Sequence, residues 1–184
     1  MTINNTPQRR LIVYIAASID GFIAGPGDDL SFLSAVAKQG EDYGYNDFIK
    51  NIDTVILGRK TYDWVMTQVP EFPHADKETY VITRTEKNAI GMTRFYTGNL
   101  IQLVQQLKQK EGKNIFIDGG AEVVNALLKE KLIDELYLSV VPVLLGDGVR
   151  LFKTGNPLQQ AVLAGSKHFD TGLVQLHYHF TKPY

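Results

Sequence analysis

The run Ile115-Phe116-Ile117-Asp118-Gly119-Gly120 passes without a break into Ala121-Glu122-Val123-Val124-Asn125-Ala126-Leu127-Leu128. It reads as a buried strand, two glycines and an amphipathic helix, which is how a turn at the C-terminal edge of an α/β sheet is written. Glycine there lets the backbone come close to a flat or charged group, and the free N–H groups of the new helix favour an anion. Gly-Gly also serves as an ordinary strand-to-helix turn. A second junction of the same build, Gly58-Arg59-Lys60-Thr61-Tyr62, adds two cations and a hydroxyl. Two such junctions in one small chain point to a phosphate-bearing cofactor.

The remaining periodicities fill in an α/β order. Residues 11–17 form a continuous apolar run, as in a central strand, and 53–57, 79–83, 94–97, 114–117 and 134–141 read as further strands. Helical spacing marks 42–51, the stretch from Lys60 to before Pro70, 100–110 and 121–131. Residues 18–29 are rich in glycine and aspartate and read as a long loop with little regular structure. A helix follows from near Leu30, capped by Asp29, with Phe32, Leu33 and Val36 on one face. Asp170-Thr171-Gly172 joins two final strands within 161–181 as a hairpin. The expected fold is a mostly parallel mixed sheet with an antiparallel C-terminal hairpin. Residues 1–9 are expected to be a frayed tail and 10–184 a single domain. A net charge of −1 leaves no global field for nucleic acid or an anionic membrane, and the absence of cysteine excludes thiolate chemistry. No segment has the apolar length of a membrane helix or a signal-peptide core, so a soluble, cytoplasmic protein is expected.

Five segments in order carry a resemblance. They are Ala16-Ala17-Ser18-Ile19-Asp20-Gly21-Phe22-Ile23-Ala24, Val55 to Tyr62, Tyr80-Val81-Ile82-Thr83-Arg84, Ile115 to Glu122, and Ile133 to Gly148. Together they resemble the dihydrofolate reductase-like superfamily, and within it the branch of the C-terminal reductase domain of the riboflavin-biosynthesis deaminase–reductase. The resemblance runs from about Arg10 to the C-terminus. It implies a three-layer α/β/α fold and an NADPH-dependent reductase, but does not fix the substrate. The leading reading is hydride transfer to a small conjugated or heterocyclic substrate, pteridine- or pyrimidine-like. The alternatives are the pathway's own ribosylaminopyrimidine reductase and a catalytically silent NADPH-binding sensor. The resemblance also implies a homodimer, with the strand at 173–180 offering an apolar edge.

The resemblance assigns residues as well. Gly58, Arg59, Lys60 and Thr61 would bind the pyrophosphate and the 2′-phosphate, although a solvated cation pair at a helix start is the bland alternative. Thr83 and Arg84 would lie beside the adenosine ribose, with Arg84 the guanidinium that selects NADPH over NADH. Gly119 and Gly120 correspond to a glycine pair whose joining peptide is cis in dihydrofolate reductases, and the same is expected here. Ala121 and Glu122 open the helix near the phosphates, where an acid suits the helix but not a phosphate. Ala17 flanks the nicotinamide, or is small because a helix packs on it.

The proton donor is where the pattern fails. Dihydrofolate reductases place a carboxylate on the first helix after the loop, where this chain offers Asp28 and Asp29 and then Ser31-Phe32. Asp29 reads equally as a helix cap. Asp118, at a strand end among apolar residues, is the other candidate, since a carboxylate there needs a reason. Ser139 matches a hydroxyl that faces substrate, and Asp118 and Ser139 would share a pocket walled by Phe22, Phe48 and Tyr62. His177 and His179 share a strand face at period two, but no third ligand is apparent, so no metal is expected.

Overall fold

A computed structural model describes residues 8–181. Strand β1 (Leu11–Ser18) is followed by a short β2 (Phe22–Ala24), a 3-10 turn (Pro26–Asp28) and a 3-10 helix (Ser31–Val36). Then come α1 (Tyr45–Ile49), β3 (Ile52–Gly58), α2 (Arg59–Gln68), β4 (Glu78–Ile82), β5 (Thr93–Tyr96), α3 (Leu100–Gln109), β6 (Asn114–Ile117) and α4 (Ala121–Lys129). The chain closes with β7 (Glu135–Val141), β8 (Val149–Arg150), β9 (Ala161–His168) and β10 (Val174–Phe180). The main sheet has eight strands in the order β5-β4-β3-β6-β1-β7-β10-β9, and β2 pairs with β8 in a second, small sheet. The strands from β5 to β7 are parallel, and β10 and β9 close the sheet antiparallel.

Alternation along each strand makes three layers. Leu11 and Val13 of β1 and Ile115 and Ile117 of β6 face Leu103, Val104 and Leu107 of α3 and Val123, Val124 and Leu127 of α4. The intervening residues, Ile12, Tyr14 and Phe116, face the opposite layer with Tyr62 of α2 and Tyr45 and Phe48 of α1. Asn99 caps α3 by accepting from the amides of Ile101 (2.9 Å) and Gln102 (3.1 Å).

The loop after β1 is more ordered than its glycines suggest. Residues 22–24 pair with β8, and the Ile19 amide donates to the Val143 carbonyl at 2.9 Å. Asp20 accepts from the Ser18 hydroxyl (2.6 Å) and from the amides of Leu145 (3.1 Å) and Gly146 (2.7 Å). The helix expected from Leu30 is a six-residue 3-10 segment that buries only Phe32 and Val36. The helix expected over 42–51 is confined to 45–49, because Tyr43 and Gly44 take left-handed φ (56° and 86°) and Asp42 turns its carboxylate onto the Gly44 and Asn46 amides.

Of the expected frayed tail, residues 1–7 lie outside the described residues. Arg9 is not frayed. It is buried, pairs with Asp53, and donates to Thr54 Oγ1 (2.6 Å) and to the carbonyls of Lys113 (2.6 Å) and Leu107 (3.3 Å). The strand expected at the sheet edge, β10, is interior, and β9 is the edge. No helix of the described residues is long and apolar enough to cross a membrane.

Two outcomes follow. Arg9→Met should lower the unfolding free energy by about 3 kcal/mol, because the charge partner of Asp53 and the donors to two carbonyls vanish together. Urea unfolding that gives equal midpoints would reject this. The Asp20 carboxyl is held down at about 2, first by the Ser18 hydroxyl and then by the Gly146 and Leu145 amides. A group depressed on folding stabilises fully above its unfolded value near 3.9 and loses that contribution as pH falls toward 2. The gap in Tm between wild type and Asp20→Asn should therefore be widest above pH 5 and narrow steadily below pH 4 (both about).

Candidate functional site

All the parallel strands end at one edge of the sheet, and the two glycine junctions meet there. The Asp118 amide donates to the Ile56 carbonyl at 3.0 Å, and the Gly58 amide to the Gly119 carbonyl at 3.4 Å. Helix α2 starts from Gly58 and α4 from Gly120, so two helix N-termini sit side by side between β3 and β6. A Cβ on Gly120 would lie 3.4 Å from Thr61 Oγ1 and 3.6 Å from the Gly58 nitrogen. Gly119 and Gly120 have φ of 115° and 88°, which L side chains rarely adopt. The peptide between them is trans, as is every other among the described residues, so the expected cis bond is absent. Positive φ at both glycines makes the turn instead. The junction thus brings two helix N-termini and two positive-φ glycines into close approach.

Of the cations around this edge, Arg59 and Lys87 have partners of their own. Arg59 Nε contacts the Asp63 carboxylate one turn along α2 (2.6 and 2.7 Å), and its guanidinium lies 5.7 Å from the Phe95 ring centroid. Lys87 approaches the same ring at 5.6 Å. Phe95, Thr97, Glu86, Lys87 and Asn88 line an open depression of about 470 Å³. Thr83 is tied locally to Thr85, and Arg84 and Lys60 are exposed. Glu122 is turned to solvent and pairs with Lys153, which holds its carboxyl below the usual range. Ala121, at the start of α4, and Ala17, on β1, are both buried, Ala17 against the same core as α4.

Asp118 ends β6 on the other face, in a corner the sequence did not reveal. Its carboxylate lies 3.2 Å from Nε2 of His74, whose side chain is 5% exposed and is edged by Phe72 (5.4 Å) and Phe116 (5.9 Å). The Tyr45 hydroxyl lies 3.4 Å from the same nitrogen. Burial, and after it the charge of Asp118, push the Tyr45 phenol well up, so it stays protonated. Asp118 keeps about a quarter of its side chain exposed. The available signal for His74 was the pair Phe72 and His74, two residues apart around Pro73, which gives both side chains the same inward side.

The other expected residues divide. Phe48 packs on Tyr14 (4.6 Å), Phe116 (5.1 Å) and Tyr137 (5.7 Å), on the face that carries Asp118. Tyr62 lies against Phe72 and Phe95 and is buried. Ser139 shares the face but is buried, accepting from Gln175 Nε2 (3.1 Å), which also donates to the Tyr14 hydroxyl (2.8 Å). Phe22 sits apart in the small sheet beneath Arg150, 4.5 Å from its guanidinium. Asp28 is exposed at a left-handed φ of 62°. Asp29 is exposed and closes a turn by accepting from the Ser31 hydroxyl (2.7 Å) and amide (3.0 Å), which lower its pKa. A carboxylate held ionised this way is a poor proton source.

Known proteins share this architecture. The chain is 41% identical over 172 residues to the uncharacterized protein YwjB of Bacillus subtilis, covering 93% of this chain and 98% of that one. Among solved structures, a Shewanella sp. PV-4 protein provisionally described as a riboflavin biosynthesis protein superposes with a TM-score of 0.85 at 29% identity, covering 94% and 99% of the two chains. Dihydrofolate reductase from Enterococcus faecalis, complexed with NADP(H), shares the fold with a TM-score of 0.68 at 19% identity, over 95% and 98%. The three-layer fold is thus dihydrofolate reductase-like. The model of the RibD C-terminal domain matches residues 9–175, nearly the whole described chain, and the protein belongs to that family.

Proposed function

We propose that this protein is an NADPH-dependent reductase of a small, flat, pyrimidine- or pteridine-like substrate. The observation that carries this reading is the junction of Gly58, Thr61, Gly119 and Gly120, where two helix N-termini open side by side one residue from the carboxyl of Asp118. Family membership supports a reductase, and the NADP(H) complex of the E. faecalis enzyme supports the cofactor on this fold. The residues fit a pyrophosphate, because the space that a Cβ at Gly120 would fill is bounded by Thr61 Oγ1 and backbone nitrogen. When bound, NADPH supplies a hydride to one atom of a C=N or C=C bond.

The chain's own groups do the rest. The amides at the starts of α2 and α4, with the Thr61 hydroxyl, hold the pyrophosphate. Arg84, with Arg59 and Lys60, meets the 2′-phosphate, and Thr83 the ribose beside it. Ala17 and the segment to Ala24 flank the nicotinamide with backbone, and Ala121 leads the second helix past the phosphates. Asp118 faces the substrate and delivers the proton to the other atom of the reduced bond. His74 holds its carboxyl in place, and the Tyr45 hydroxyl meets the same His74 nitrogen. Phe48 supplies an apolar wall. The chain acts as a single domain in the cytoplasm and pairs with a second copy through the β9 edge, where Val162 and Leu163 are more than half exposed.

Titration by cofactor fluorescence should give tighter binding of NADPH than of NADH, with Arg84→Ala removing about 10–100-fold of the preference, the equivalent of one charge-assisted contact. Equal affinities would sink the cofactor assignment. Asp118→Asn should leave NADPH affinity nearly intact and slow NADPH oxidation against a panel of pteridines and aminopyrimidines by roughly 10²–10⁴. Binding of NADPH with no oxidation by any panel member would favour a sensor. Light scattering should report the dimer mass, and a monomer at all micromolar concentrations would exclude the pairing.

A further inference from the structure

The two histidines of the last strand do have a third partner, and it lies at the opposite end of the sheet from the candidate active site. Glu135 opens β7, and in the antiparallel pairing of β7 with β10 it stands directly across from His179, with Tyr137 across from His177. Residues two apart share a strand face, so Glu135, His177 and His179 converge on one side. An irregularity in the β9 pairing between His177 and Tyr178 lies beside this point. Oε2 of Glu135 is 2.8 Å from His177 Nε2 and 3.7 Å from His179 Nε2. One donor atom from each of the three residues lies within 4.8 Å of the others.

We propose that Glu135, His177 and His179 form a binding site for a divalent first-row transition metal of the zinc type. Two imidazole nitrogens and one carboxylate oxygen suit zinc and its neighbours and do not suit magnesium or calcium, which take oxygen. The site is ordered before any ion arrives. The His177 ring is stacked on Tyr137, with centroids 3.8 Å apart and planes 13° apart, which fixes where its nitrogen points. Arg10 holds Oε1 of Glu135, which leaves Oε2 to the histidines. The Glu135 side chain is 6% exposed and that of His179 46%, so a buried anchor is paired with a solvent-facing ligand that can swing in. Zinc holds nitrogen and oxygen at about 2.0–2.2 Å, which sets tetrahedral ligand atoms roughly 3.3 Å apart, so the His177–Glu135 pair at 2.8 Å opens slightly and the His179–Glu135 pair at 3.7 Å closes slightly when the ion enters. A cavity of about 290 Å³ lined by Arg10, Glu135, His179 and Phe180 opens beside it. Three protein ligands leave at least one position for water. The Arg10 charge opposes a cation, but it bonds the far oxygen and its side chain is 57% exposed, so solvent screens it. The proposal is independent of the reductase reading.

The test uses the full chain without a histidine tag, stripped with chelator and titrated with zinc chloride by calorimetry and with cobalt chloride by visible absorption. One ion should bind per chain. His177→Gln and His179→Gln should each weaken binding by more than about tenfold, the smallest loss expected even for an outer partner. His168→Gln, on the exposed edge strand, should change nothing. No saturable binding, or the same affinity in both variants as in wild type, would overturn the site, as would an equal loss in His168→Gln. Both variants alter only part-exposed side chains, and circular dichroism checks that they are folded. Cobalt spectra without nitrogen-to-metal character in a binding-competent wild type would also count against it.

Discussion

Parallel strands deliver their C-terminal ends to one place only if their starts are held level, and in this protein buried charge holds them. At the lower edge Arg9 ties β3 to the turn before β6 through Asp53, Thr54 and the Lys113 carbonyl. Lys108 on α3 reaches the Leu132 carbonyl (2.9 Å) and Asp134 (2.5 Å), and Asp134 in turn accepts from the Leu11 amide (2.7 Å). Arg10 engages Glu135. Each of these contacts joins segments far apart in sequence at the point where strands begin. Breaking one leaves a buried charge without its partner, which is costly, so the alignment has little freedom. The upper edge is the opposite case. There the chain places glycines, helix N-termini and partly exposed polar groups.

This division explains what could be read from the amino-acid order. The central strands and α3 and α4 are long apolar or amphipathic runs, and their bounds fall within a few residues of those expected. The junctions at Gly58 and Gly119–Gly120 were equally plain, since local sequence and local structure coincide there. What escaped depends on contacts between distant segments. Phe22-Ile23-Ala24 is too short, and too near its glycines, to declare a strand until β8 pairs with it. Arg9 looks like a polar tail residue because its acceptors are about a hundred positions away in one case and forty-four in another. His74 looks like loop composition until β6 brings Asp118 to it. Ser139 shows the reverse error: its strand face was read correctly, but Gln175 from a later strand covers it.

The corner formed by Asp118, His74 and Tyr45 is the chemically most unusual part of the upper edge. An imidazole almost wholly enclosed by Phe72 and Phe116 has few options for its polar nitrogen, and the same nitrogen faces both the carboxylate and the phenol. With the phenol kept protonated by burial, Nε2 of His74 stands between it and the Asp118 carboxylate, 3.4 Å from the one and 3.2 Å from the other. Such an arrangement fixes a carboxyl in direction without sealing it from solvent, which a carboxylate bonded only to backbone amides would not do.

The outermost strand has a different consequence. All eight residues of β9 are exposed, so this strand is held by its hydrogen-bond ladder to β10 and by almost no buried surface. Free energy of local opening tracks buried apolar contact, so amides of β9 should exchange with solvent at a cost far below that of β1 or β6. The molecule therefore has a graded resistance to opening, highest in the central strands whose starts the buried charges hold and lowest in the outermost strand, β9. During synthesis β9 emerges before β10, the one strand it pairs with, so it joins the main sheet only when that later strand is in place.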